Sequence, residues 1–101
     1  MLELRITASA AHDMSEIAAY IAEQLGNPTA ASDLICDIRK KIKLALEHPY
    51  MYPSCEDLLH NDAYRKIVVQ NYVVIYRVDE KASFLWLERV FYGRRNYPDL
   101  I

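Results

Sequence analysis

Glycine is almost missing from this chain, whose 101 residues include only Gly26 and Gly93. That excludes a glycine-rich phosphate loop, whose backbone must curl around an anion where side chains do not fit. Cysteine is equally scarce. Cys36 and Cys55 stand 19 residues apart, with no second Cys or His at metal-finger spacing. Cys36 falls in a helical pattern and reads as a small buried hydrophobe, whereas Cys55 falls in a polar loop and reads as incidental. Both thiols are expected to be reduced, as in a cytosolic protein. No stretch approaches the roughly 20 apolar residues that cross a bilayer. The N-terminus, L-E-L-R-I-T, lacks a basic segment followed by an apolar run. A chain without membrane span or signal peptide is expected in the cytoplasm.

Catalytic signatures are also lacking. There is no H-E-x-x-H and no nucleophile elbow. His12, His48 and His60 are scattered over a helix start, a helix end and a loop, where surface or structural roles outweigh catalysis. Nothing in the sequence requires a metal or any other cofactor.

The chain is 52% apolar and 26% charged, ordinary for one globular domain spanning residues 1–101. Its net charge of −2 argues against bulk nucleic-acid binding. The charge is uneven, however. Residues 1–60 hold five basic and nine acidic side chains, whereas residues 61–101 hold seven basic and five acidic. The second part is thus the more cationic, and a modest excess of this kind supports an anionic partner without establishing one.

Periodicity supplies the elements. Leu2, Leu4 and Ile6 alternate with Glu3 and Arg5, predicting a strand. Met14, Ile17, Ala18, Ile21 and Leu25 share one helical face, predicting a helix from Ser9, as N-cap, to Leu25. Gly26 suits a left-handed C-cap, and Asn27-Pro28 starts a second helix. Its stripe runs through Ala31, Leu34, Ile35, Ile38, Ile42, Ala45 and Leu46 and stops at His48-Pro49. Asp37 and Lys41 are spaced as an i,i+4 pair. Residues 49–63 read as a loop with a short turn near Leu58-Leu59. Strands follow over 64–70, 72–78 and 83–92.

The order β-α-α-β-β-β defines an α+β fold: a helix hairpin packed on a mostly antiparallel four-stranded sheet. The opposite sheet face is expected to be free and to take some of the arginines and tyrosines.

Those residues are the candidates for function. Guanidinium forks suit phosphate, and phenols offer a stacking face with a polar tip. Arg65 is either a strand-edge charge paired with an acid such as Glu88 or a phosphate clamp. Arg77, at a strand end, favours a structural role. Glu88 and Arg89 are adjacent and should point to opposite faces, one needing a partner against the helices. Arg94 and Arg95 follow Gly93, where the chain can bend off the sheet. Tyr92 and Tyr97 stand nearest that arginine pair.

The segments Y-R-K-I-V-V-Q-N-Y-V-V-I-Y-R-V-D and R-V-F-Y-G-R-R-N-Y, behind an N-terminal strand and a helix hairpin ending in H-P, carry a family resemblance. In this order they resemble the RelE/ParE superfamily of toxins from bacterial type II toxin–antitoxin modules. The resemblance implies a growth-inhibiting toxin neutralised by a cognate antitoxin, a largely disordered segment of which folds onto it. RelE-like members cleave ribosome-bound mRNA, whereas ParE-like members poison DNA gyrase without chemistry of their own.

For a nuclease, the resemblance assigns Arg65, Tyr92, Arg94 and Tyr97 to catalysis and Lys66, Tyr72 and Arg95 to binding. Several positions depart from the nuclease pattern. Tyr92 stands where many nucleases have His, and Tyr72 where some have a catalytic Arg. A phenol with a pKa near ~10 is a poor general base at neutral pH. The long hairpin and its H-P ending favour the ParE-like branch. The alternatives are the ribosome-dependent nuclease and an inactive member that only binds an antitoxin.

Overall fold

The computed structural model describes residues 1–55 and 63–93. Strand β1 is Glu3–Ile6, helix α1 is Ala8–Ala19, and a π-helical turn, Tyr20–Gln24, continues it. Helix α2 is Pro28–Glu47, and strands β2, β3 and β4 are Tyr64–Val69, Tyr72–Asp79 and Phe84–Tyr92. The sheet order is β1-β4-β3-β2. β1 lies parallel to β4, and the other pairs are antiparallel. The predicted α+β layout is therefore present, with the first strand, β1, at one edge beside the last, β4.

The caps show how the sequence sets the helices. Thr7, not Ser9, caps α1: its backbone is extended and its hydroxyl accepts the Ala10 N–H at 3.0 Å. The same hydroxyl donates to the Glu88 carbonyl at 2.9 Å, which ties the helix start to β4. Asn27 caps α2 as predicted, its side chain accepting from the Ala30 N–H. Gly26 has φ +62°, the left-handed conformation that only glycine adopts without strain. The helical run to Leu25 does not stay regular, because its last turn widens and buries Ile21 while Tyr20 stays exposed.

Both helices lie on one sheet face. Leu34, Ile38 and Ile42 of α2 meet Ile67, Val69, Val74, Leu85 and Leu87 of the sheet in one cluster. Burying each such leucine or isoleucine contributes roughly 1.5–3 kcal/mol. The predicted Asp37–Lys41 pair is not made. Both side chains instead reach the end of β2, Lys41 donating to the Val68 carbonyl and Asp37 accepting from Gln70. Gln70 itself takes φ 55° in the tight turn to β3.

The expected free face is a correction. It carries a second apolar cluster of Cys55, Val73, Ile75 and Phe91, with Tyr64 beside it. The cysteine readings are reversed in consequence. Cys55 is 1% exposed, and burial pushes its thiol pKa up, whereas Cys36 is exposed on α2. The helical stripe hid this, because Cys36 lies just beyond buried Leu34 and part-buried Ile35 and turns outward.

A bulge sits where β3 meets β4, with Ile75 opposite Arg89 and Tyr76 opposite Leu87. Leu87 and Val90, three residues apart, therefore both join the helix-side cluster. Strict alternation fails here, so Glu88 and Arg89 do not simply take opposite faces. Glu88 accepts from Arg77 at 2.7 Å, and Arg89 forks onto Asp13 of α1 at 2.7 and 3.1 Å.

Candidate functional site

Past Ile6, no strand among the described residues pairs with the outer side of β4, and α1 takes over that edge. Asp13 accepts the Val90 N–H at 3.0 Å while holding Arg89. The hydrogen bond from Arg89 to Asp13 raises the guanidinium pKa further above its usual value. This anchor sets α1 against the end of β4 and opens a cleft of about 580 Å³ there. Asp13, Glu16, Tyr20, Asn71, Tyr72 and Tyr92 are among its walls.

Tyr72 and Tyr92 are direct cross-strand partners. Their rings stand 5.6 Å apart at 76°, an edge-to-face corner. Burial pushes the Tyr72 phenol pKa up, and the neighbouring Tyr92 and Tyr20 phenols add to the shift. No lysine or arginine among the described residues lines this cleft.

Arg65 belongs to a different place. It pairs with Tyr76, four residues along β3 from Tyr72, which is roughly 13 Å along a strand. Its guanidinium donates to the Tyr52 carbonyl at 2.6 Å and lies 5.0 Å from the Tyr50 ring centre. Around it the segment after α2 is pinned to β2: Cys55 N–H donates to the Tyr64 carbonyl and Lys66 N–H to the Pro53 carbonyl. Tyr76 is fully buried and donates to the Pro49 carbonyl at 2.6 Å. Burial pushes its phenol pKa up to about 12. Tyr50 donates to Glu80, and that bond raises its phenol pKa. The expected Arg65–Glu88 pair is corrected, since Glu88 is held by Arg77, which also stacks 5.5 Å from Trp86.

The structure thus joins Tyr72 to Tyr92 and separates both from Arg65. Lys66 alternates to the face opposite Arg65. Arg94, Arg95 and Tyr97 lie outside the described residues. Sequence reasoning missed Asp13, Glu16 and Tyr20, whose helical positions carry no mark of a site until α1 is laid on β4.

A third region is apolar. Leu4, Ile6, Met14, Ile35, Ile42 and Leu46 line a groove of about 490 Å³ between β1 and the helix pair, with Arg39 and Lys43 beside them. Ile6 is 46% exposed. No strand among the described residues pairs with the outer edge of β1.

No curated protein matches the chain. A chain of a solved chromosomal ParDE TA system from P. aeruginosa has the same fold, with a TM-score of 0.70 at 19% identity. That match covers 91% of this chain and 96% of the other. The sequence also matches the family described as the ParE toxin of the type II toxin–antitoxin system, parDE, over residues 4–97. With nearly all of its length inside that match, the chain belongs to the ParE toxin family and is the toxin component of a type II toxin–antitoxin module.

Proposed function

We propose that this toxin acts by binding a protein target, DNA gyrase, rather than by cutting ribosome-bound mRNA. The observation that carries this reading is the placement of Tyr92. It lies in a cleft with Asp13 and Glu16 and without a described cation, two strand pairings and roughly four residues away from Arg65. Phosphoryl chemistry needs cationic groups converging where negative charge develops. A phenol in a cleft that also holds two carboxylates, with Tyr72 beside it in place of an arginine, is poorly suited to that work.

Neutralisation rests on a second surface, on the other flank of α1. The apolar groove lies beside a β1 edge with no strand paired to it among the described residues, and it offers exposed Ile6 and a basic rim of Arg39 and Lys43. Those features suit an acidic amphipathic antitoxin segment, which would cover the groove and match its charge.

Purified toxin should inhibit gyrase supercoiling and trap cleaved DNA, while mRNA 5′ ends in expressing cells stay unchanged. Codon-spaced mRNA cuts with unaffected gyrase would replace this reading by the nuclease. Absence of both effects would indicate a chain that only binds its antitoxin.

A further inference from the structure

The tyrosine cleft has a chemical character of its own. Tyr72 and Tyr92 form a near-perpendicular corner, and Tyr20, 53% exposed, lines the same cleft from the last turn of the first helix. Aromatic faces carry negative potential, and rings set at right angles let two of them face one cation. Glu16 adds an exposed carboxylate whose contact is the exposed His12 at 2.9 Å, a pair of small energetic weight. The helical run ends at the cleft, so the negative end of its dipole points there. Asp13 is already balanced by Arg89. Of the other lining residues, Ile17, Leu25, Val90 and Phe91 are apolar and fit a methylene stem, and Asn71 is polar.

We propose that this cleft receives a guanidinium or ammonium side chain presented by a partner protein. Rings stack on the cationic head, Glu16 supplies the opposing charge, and the apolar wall packs the stem. The assignment stands on the cleft's own chemistry and does not require gyrase to be the target.

The test is a titration of the full chain, carrying ¹³C-labelled tyrosine rings, with N-acetyl-arginine amide and with its uncharged counterpart N-acetyl-citrulline amide. The arginine compound should shift the Tyr20, Tyr72 and Tyr92 ring signals saturably, with a dissociation constant on the order of 1–10 mM for so small a ligand. The citrulline compound should bind at least about tenfold more weakly. Tyr20→Leu and Glu16→Gln change exposed side chains that the fold tolerates, and each should weaken arginine binding by roughly threefold to tenfold. The same titration on an Arg94→Gln/Arg95→Gln chain removes the two cations that follow Tyr92 in sequence. Equal binding of the two compounds, unchanged affinity in both Tyr20→Leu and Glu16→Gln, or no saturable shift in either background would overturn the proposal.

Discussion

Arg65 illustrates how a cation that reads as a phosphate clamp becomes structural. Its guanidinium is spent on the Tyr52 carbonyl and the Tyr50 ring. A charged donor to a partly buried carbonyl contributes about 2 kcal/mol, and its removal leaves that carbonyl unsatisfied. Arg65→Ala should therefore lower the thermal midpoint by roughly 10 °C in a domain of this size. Calorimetry checks this, and an unchanged midpoint would return Arg65 to the list of ligand-binding groups. Both roles are compatible with Arg at a strand start, so the residue's neighbours in sequence could not choose between them. The choice came from the segment after α2, which folds back to pair with β2 through Pro53 and Cys55.

At the scale of elements, the junction of α1 with β4 organises the candidate cleft. Thr7 caps the helix and binds Glu88, and Asp13 satisfies Val90 and Arg89. Together they replace the strand that would otherwise continue along β4. Thr7→Ala removes the cap and the Glu88 contact and should cost about 1–2 kcal/mol. Thr7→Ser should recover most of it, because the hydroxyl is what both bonds use. Urea denaturation midpoints of the three proteins settle the matter, and equal loss in both variants would point to the methyl group instead. The helix itself was legible from its apolar stripe. Its true start was not, because Ser9 and Thr7 are both competent caps and only the position of Glu88 selects Thr7.

For the whole molecule, the two sheet edges differ. The outer side of β2 is occupied by the segment at Pro53–Cys55 and by Lys41. The outer side of β1 has no such cover among the described residues, and the apolar groove runs beside it. A surface of this kind in a folded protein marks a partner's place. Ile6→Asp should leave the fold intact and weaken antitoxin binding by roughly 30-fold or more, the effect of a central contact. Val68→Asp, at a side chain 55% exposed on β2, should leave binding unchanged. Calorimetric titration with the cognate antitoxin compares them, and the opposite ranking would move the docking surface to the other edge.

Short-range patterns were sufficient for the element order and the α+β class, while the toxin family came from the resemblance of two segments to known members. Alternation, helical stripes, Gly26 and Asn27-Pro28 act between residues close in sequence, where sterics and local hydrogen bonds decide the outcome. Pairings between distant residues were settled only by folding. β1 lies against β4, a bulge re-aims Glu88 and Arg89, Cys55 rather than Cys36 is buried, and Tyr20 joins Tyr72 and Tyr92. Each depends on strand register or on the seat of a helix, and those follow from the packing of the whole core.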